Sequence, residues 1–257
     1  MNKKAYASKI IQSNTRTEYI CPVCQEGYLN CIDKNITYVD YKSHNEELKK
    51  YEDYEAEWFK FAFHGILICD NQKCREEIVF AGKSNHEYNS FIHEPSGEFN
   101  YINIKHLDIE YIERAPNIIQ LKEMYPPIVK EAIKESFKLF WIDMNSCANR
   151  IRVSLEELMN IQKIKRYPAT GKRNKLPLHN RIIIFTDKHP QLKDALLSIK
   201  WIGNFASHTE TITRNDLLDG YELLEYTMNF LYDNNEERIK KMAKTISSTK
   251  KPRSKQR

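Results

Sequence analysis

Three side chains that can act on a phosphodiester follow one another at four-residue intervals near the end of a helical segment. They are Lys200, Asn204 and His208, and this spacing places them on one face of an α-helix. Histidine exchanges a proton near neutral pH, an amide can orient a phosphate, and a cation offsets its charge. The combination predicts a site that cleaves or holds an RNA backbone without a metal ion.

A preceding helical segment adds Arg152 and Glu156, again four residues apart. The guanidinium of Arg152 can bind two phosphate oxygens, so we expect it to reach the substrate. For Glu156 a surface or half-buried ion pair is the favoured interpretation. A structural role is the alternative for the stripe itself, with His208 capping the end of its helix and Asn204 bonding to a neighbouring helix.

A basic segment lies between these two helices, because the chain contains no acidic residue from Leu158 to Thr186. We expect this segment to contact a polyanion, the alternative being a solvated loop. Its predicted nucleic-acid-binding residues are Lys163, Lys165, Arg166, Lys172, Arg173, Lys175 and Arg181.

Four of the six cysteines form two pairs with metal-ligand spacing, separated by strand-like sequence. Such pairs predict a tetrahedral site for one structural zinc ion, with no open coordination position for catalysis. The arrangement resembles a zinc ribbon, in which two knuckles lie on β-hairpins. The predicted ligands are Cys21, Cys24, Cys69 and Cys74.

The other candidate metal ligands have simpler interpretations. Cys31 and His64 are alternative ligands, but Cys31 is typical of a small core residue and His64 of a partly exposed strand position. Cys147 lies on an apolar helical face, where we expect it to belong to the core.

Composition and charge exclude several classes of protein. The chain has 257 residues, seven of them glycine, and lacks a glycine-rich nucleotide loop. It also lacks an apolar run long enough for a bilayer and an N-terminal signal peptide, so we expect a cytoplasmic protein without membrane contact. The net charge is +5, yet nine Lys and Arg follow Glu237. This tail is either a solubility tail or a nonspecific phosphate contact.

The periodicity predicts an α+β protein with an N-terminal β zinc ribbon followed by a C-terminal antiparallel α-helical bundle. The ribbon covers residues 1–82 and includes an acidic insertion from Asn45 to Trp58. Residues 83–116 show no clear period and are expected to be a linker. Helical periodicity covers residues 117–237, and residues 238–257 are expected to be a basic disordered tail.

The segment Gly203-Asn204-x-x-x-His208, preceded by a helix with Arg152-Val153-Ser154-Leu155-Glu156, resembles the HEPN superfamily. It is most similar to an uncharacterised bacterial branch, whose domains often follow a zinc ribbon and lie near restriction-modification and phage-defence genes. The resemblance covers roughly residues 115–235. It implies a HEPN-like helical bundle that forms a homodimer, with a metal-independent ribonuclease site built across the dimer axis.

Carried over residue by residue, the resemblance makes His208 the catalytic histidine and Asn204 the polar residue before it. The arginine of the family motif is replaced by Gly203, so Lys200 or Arg152 must supply the cation. Gly203 alternatively permits close helix packing.

Two functions are consistent with these residues. The first is a metal-independent endoribonuclease of an antiphage defence or toxin system, acting on RNA, with tRNA among the candidate substrates and no catalytic cofactor. The second is a noncatalytic nucleic-acid-binding module, or an adaptor or sensor that contacts a phage or defence-system protein.

Overall fold

The computed structural model describes residues 2–92, 99–168, 174–205, 212–233 and 235–250. The described strands are β1 (Ile10–Gln12), β2 (Thr15–Ile20), β3 (Tyr28–Asp40), β4 (Phe61–Cys69), β5 (Glu77–Ile92) and β6 (Phe99–Ile112). The described α-helices are α1 (Lys3–Ala7), α2 (Lys42–Leu48), α3 (Pro127–Ile142), α4 (Met144–Ile161), α5 (Leu178–Thr186), α6 (Lys193–Phe205), α7 (Arg214–Tyr232) and α8 (Asn235–Thr249). Single 3₁₀ turns cover Ala56–Trp58 and Pro190–Leu192.

All six described strands form one antiparallel sheet in the order β1-β6-β5-β4-β3-β2. The two edge strands, β1 and β2, are consecutive in the chain and lie close together, so the sheet is nearly closed. In the register of β3 with β4, Leu29 lies opposite Cys69. The β2–β3 and β4–β5 turns therefore lie at the same end of the sheet.

The expected zinc ribbon followed by a separate helical bundle is wrong. Residues 83–116, expected to be a linker, contain most of β5 and all of β6, which pair from Phe80–Ile112 to Ile92–Phe99. The expected boundary at residue 82 falls inside β5. The sequence missed this because the inward positions of the outer half of β5 are Ser84 and His86, which interrupt the apolar alternation of a half-buried strand.

Sheet and helices share one hydrophobic core. Where they meet, the rings of Tyr6 in α1 and Tyr19 in β2 are stacked with centroids 5.4 Å apart. Edge-on contacts continue from Tyr6 to Phe140 at 6.4 Å and from Tyr19 to Trp141 at 5.3 Å, both in α3. Such aromatic pairs bury large areas with specific geometry, so the cysteine-bearing half is not held by a metal alone.

Two helices of the second half begin at residues that are typical of helix starts. α3 begins at Pro127, where proline's missing N–H is tolerated. α7 begins after Thr213, whose hydroxyl forms a capping box with Asp216. α5 was not predicted, because it lies in the segment interpreted from its charge. None of the described helices is long and apolar enough to cross a lipid bilayer.

The expected disorder from residue 238 onward is wrong as far as Thr249, because α8 covers Asn235–Thr249. Ile239 and Ile246 on this helix are exposed. Residues 251–257 lie outside the described part of the chain.

Candidate functional site

The four predicted cysteine ligands converge at one end of the sheet. The Sγ atoms of Cys21, Cys24, Cys69 and Cys74 all lie within 4.8 Å of one another. The Cys21–Cys74 pair is separated by 3.9 Å and the Cys24–Cys69 pair by 3.6 Å, and all four thiols are free. This donor set, brought together from two separate turns, is compatible with a structural metal ion.

Two similar turns position these thiols. The residues after the second cysteine of each pair, Gln25 and Arg75, have φ angles of 56° and 50° in the left-handed region. Gly27 completes the first turn, since a Cβ there would lie 2.5 Å from Cys69 Sγ. Its N–H donates to Cys24 Sγ at 3.3 Å, and backbone donors led by this one lower the pKa of the Cys24 thiol to about 6. A lowered pKa favours the thiolate, which is the form that binds metal.

A carboxylate ties the two turns to each other. Asp70, directly after Cys69, accepts from the Tyr28 N–H at 2.7 Å and from Arg16 Nε at 2.8 Å. These two donors, the Tyr28 N–H first, lower the pKa of Asp70. The cysteine cluster is therefore cross-braced by hydrogen bonds as well as by strand pairing.

The alternative ligands lie elsewhere. Cys31 is fully buried in the core and His64 is exposed on β4, and neither is in the cysteine cluster. Cys147 is buried, and its thiol lies 3.3 Å from the Ser136 carbonyl and 3.2 Å from the Tyr221 hydroxyl. The core interpretation of Cys31 and Cys147 is confirmed.

The predicted catalytic stripe is only partly described. His208 lies outside the described residues, and α6 is described as far as Phe205. Lys200 is 8% exposed, and its ammonium lies 3.4 Å from the ring centroid of Trp201. Asn204 is half-buried. A cation–π contact of this kind engages the ammonium of the buried Lys200.

Gly203 lies where α6 passes closest to α4. A Cβ on Gly203 would lie 2.5 Å from Arg152 Cβ and 3.1 Å from the Ala148 carbonyl oxygen. Gly203 therefore permits the close packing of α6 on α4, whereas structural roles for Asn204 and His208 stay the untested part of that alternative. The same contact places the Arg152 side chain beside the residue that precedes Asn204.

The ion pair expected for Glu156 is present. Arg152 Nη1 lies 2.8 Å from Glu156 Oε1, with both side chains about one-third exposed, and Arg152 Nε donates to Asn149 Oδ1 at 3.3 Å. Ion pairs this exposed contribute little to stability, so the guanidinium can exchange its carboxylate partner for another anion at small cost.

Arg152 also lines a cavity of about 400 Å³ between α4, α5 and the basic segment. We call it the cationic cavity. Its charged lining residues are four cations, Arg152, Arg166, Lys175 and Arg181, and two carboxylates, Glu156 and Glu157. Asn160, Leu176, Pro177 and Leu178 complete the lining.

Asn160 organises the cations of this cavity. Its Oδ1 accepts from Arg166 Nε at 2.9 Å and from Arg181 Nη2 at 2.7 Å, and its Nδ2 donates to Glu157 Oε2 at 3.0 Å. Arg181 is 5% exposed and also donates to the Ile164 carbonyl. Burial, and then the neighbouring Arg166, lower the pKa of Arg181, so its positive charge is incompletely compensated.

The basic segment therefore divides into three groups. Arg166, Lys175 and Arg181 line the cavity, whereas Lys163 and Lys165 are exposed outside its lining. Lys172 and Arg173 lie outside the described residues. Sequence analysis did not identify Asn160. The one indication in the sequence is its place at the end of α4, next to the basic segment.

Comparisons with known proteins match the two halves of the chain separately. Residues 134–249 match the model of a domain of unknown function, DUF4145, and residues 9–105 match that of another, DUF8608. The first match covers the helices from within α3 onward, and the second covers the sheet into β6. No curated protein and no solved structure matches the chain.

Proposed function

We propose that this protein binds RNA by holding backbone phosphates in the cationic cavity. The observation that carries the proposal is the convergence of Arg152, Arg166, Lys175 and Arg181 on one opening. Guanidinium groups bind phosphate oxygens in pairs, and clustered cations supply most of the affinity for nucleic acids.

The acidic residues of the cavity cancel only part of this charge, because four cations face two carboxylates. Glu156 is paired with Arg152, and Glu157 accepts from the Asn160 amide. Arg166 and Lys175 are exposed at the opening. Among the described residues, the buried Arg181 Nε has no hydrogen-bond partner, so a donor is left for a bound anion. Lys163 and Lys165 extend the positive surface beside the cavity.

The test compares RNA affinity across salt concentrations for the wild type and the double variant Arg166→Ala/Lys175→Ala. If each side chain contacts one phosphate, the slope of log affinity against log salt falls by about 1.4 for single-stranded RNA. The matched control is Lys134→Ala/Lys188→Ala, which removes two exposed charges that do not line the cavity. Equal slopes in both double variants would overturn the proposal.

A second candidate function is metal-independent RNA cleavage, as in active members of the HEPN superfamily that the segment around Asn204 resembles. The contact between Gly203 and Arg152 favours it. Through this contact α4 brings the stem of the Arg152 side chain beside the motif, so that Arg152 could take the place of the family's arginine. His208 would be the general acid or base, Asn204 would orient the phosphate, and Arg152, with Lys200 as the other candidate cation, would stabilise the charge.

Cleavage is tested on total RNA and tRNA, with and without EDTA, comparing wild type with His208→Ala. We expect products ending in a 2′,3′-cyclic phosphate, no effect of the chelator, and a loss of about 100-fold or more in the variant. Intact RNA across a range of conditions, or equal cleavage by the variant, would contradict this function. The binding function would still stand.

We propose further that the cysteine cluster holds zinc in a structural role. A tetrahedral zinc ion with Zn–S distances of about 2.3 Å has sulfur–sulfur edges of about 3.8 Å. The two measured pairs, at 3.9 and 3.6 Å, fit this geometry. The homodimer, a tRNA substrate, a phage or defence-system partner and a role in antiphage defence stay predictions.

A further inference from the structure

A second cavity, of about 500 Å³, lies on the sheet and shares no lining residue with the cationic cavity or the cysteine cluster. Its walls are α2, the turn Ala56–Trp58 and the outer halves of β5 and β6. We call it the histidine cavity, since three of the eight histidines line it. The lining residues are His44, Leu48, Glu57, Trp58, Lys60, Asn85, His86, Glu87 and His106.

The acidic insertion forms one wall of this cavity and is fastened to the sheet. Asn45 is 2% exposed; its Nδ2 donates to the Lys60 carbonyl at 2.9 Å, and its Oδ1 accepts from the Lys60 N–H at 3.0 Å. The Tyr88 N–H donates to Glu57 Oε1 at 3.4 Å. These bonds hold the acidic insertion, with His44 and Trp58, against β5.

His86 is held rigidly at the base of the cavity. It is 9% exposed, its ring is stacked on Phe61 at 4.4 Å, and Tyr38 meets its edge at 5.5 Å. Its Nδ1 lies 3.5 Å from the Asn103 amide nitrogen. With Asn103 as donor, Nδ1 is the acceptor and Nε2 carries the proton.

Two ring nitrogens in the lining have no protein partner. Among the described residues, His44 Nε2 and His86 Nε2 are buried and make no hydrogen bond. Buried polar atoms are nearly always bonded in folded proteins, so these two nitrogens, on side chains that line one cavity, are the atoms that an occupant would bond.

The remaining chemistry of the cavity indicates an occupant without a formal charge at these nitrogens. Burial, and then Lys105, lower the pKa of His86, which keeps its imidazole neutral at pH 7. Both carboxylates are engaged, Glu57 with the Tyr88 N–H and Glu87 with His106 Nε2 at 2.8 Å. Trp58, which also lines the cavity, is 48% exposed and has indole surface available for an occupant.

A single metal ion does not fit these features. The cavity is far larger than an ion needs, and its histidines are not gathered in one coordination set: among the described residues, the Cys/His/Asp/Glu group close enough for a metal is the cysteine cluster. A volume of this size is typical of small-molecule sites. An indole and three imidazole rings among the lining residues, two of them with an unbonded ring nitrogen, suit a planar heterocycle that has donors and acceptors on its edge.

We propose that the histidine cavity binds a nucleobase, which stacks on Trp58 and is hydrogen-bonded at its edge by His44 and His86. The base belongs either to a free nucleotide or to a single strand of RNA. The proposal does not rest on the cationic cavity, because the recognised group carries no phosphate.

The test titrates adenosine, guanosine, cytidine and uridine into the full-length protein, followed by calorimetry and by the ¹⁵N shifts of the histidine rings. We expect at least one nucleoside to bind and to shift Nε2 of His44 and His86. Removing a base–aromatic stack weakens binding by about tenfold or more, so Trp58→Ala should do the same here. Trp201→Ala is the matched control, since Trp201 is 58% exposed but lies on α6.

The proposal is overturned if none of the four nucleosides binds at millimolar concentration, or if binding is unchanged in both Trp58→Ala and His44→Ala. Because nucleosides lack phosphate, that failure leaves RNA binding by the cationic cavity intact. A second binding experiment, with single-stranded hexanucleotides, distinguishes the two sources of the base. Tighter binding of a hexamer that is reduced by Trp58→Ala identifies RNA as the source, and equal binding of nucleoside and hexamer identifies a free nucleotide.

Discussion

Replacing Cys24 with serine should release the metal ion from the cysteine cluster and loosen the end of the sheet formed by the β2–β3 and β4–β5 turns. Serine is nearly isosteric with cysteine and Cys24 is only half-buried, so the change removes a ligand without creating a large cavity. We expect zinc affinity to fall on the order of 100-fold or more. At saturating zinc, a 100-fold loss of affinity lowers the free energy of unfolding by about 2.7 kcal/mol.

The measurement is metal content per chain by mass spectrometry, together with urea unfolding in the presence of zinc. Cys31→Ala is the matched control, because Cys31 lies on β3 near the cluster but is buried in the core and is not a ligand. That variant should lose some stability from the cavity it creates while keeping one zinc ion per chain. One zinc equivalent retained by Cys24→Ser would contradict the assignment.

The shared core decides how the chain responds to metal loss. Tyr6 and Tyr19 contact Phe140 and Trp141 across the junction of sheet and helices. The sheet therefore has support that a metal-dependent ribbon lacks. We expect the metal-free variant to keep its helices and most of its sheet, with the loss confined to the turns that carry the cysteines.

The cysteine cluster could be predicted from sequence because the ligands of each pair are local and their spacing is set by one turn. The sheet that carries them could not, since its long strand β5 places Ser84 and His86 at buried positions. Polar residues that face inward remove the period-two signal of a strand. One of these inward polar residues, His86, lines the histidine cavity, so the failure of the pattern marks a candidate site.

The sequence predicted which cations line the cationic cavity, but not that they converge on one place. Charge alone identified Arg166, Lys175 and Arg181, but their convergence depends on α5. The apolar signal of α5, from its buried Ile182 and Phe185, is hard to recognise in a segment dominated by cations. Asn160, which bonds to two guanidinium groups, is one polar residue among many in the sequence. Its role is visible once α4 and α5 are packed together.

Substituting Gly82 with alanine should destabilise the protein more than any other glycine-to-alanine change in the sheet. Gly82 lies at a β-bulge between β5 and β6, where the register shifts after Ala81. A Cβ there would lie 2.0 Å from the Asp108 carbonyl oxygen and 2.9 Å from the Glu110 amide nitrogen. Since both neighbours are backbone atoms, the strands themselves must separate, which we expect to cost about 3 kcal/mol.

The control substitution is expected to raise the free energy of unfolding instead of lowering it. A Cβ on Gly220, within α7, would meet Ile202 Cδ1 at an ordinary 3.5 Å, so Gly220→Ala should stabilise the helix by about 1 kcal/mol. Urea unfolding of both variants gives the comparison. The bulge also sets which residues of outer β5 face inward, so Gly82→Ala should shift the His86 ring signals. An unchanged unfolding midpoint in Gly82→Ala would mean that the backbones of β5 and β6 do not approach so closely, and that the bulge does not position His86.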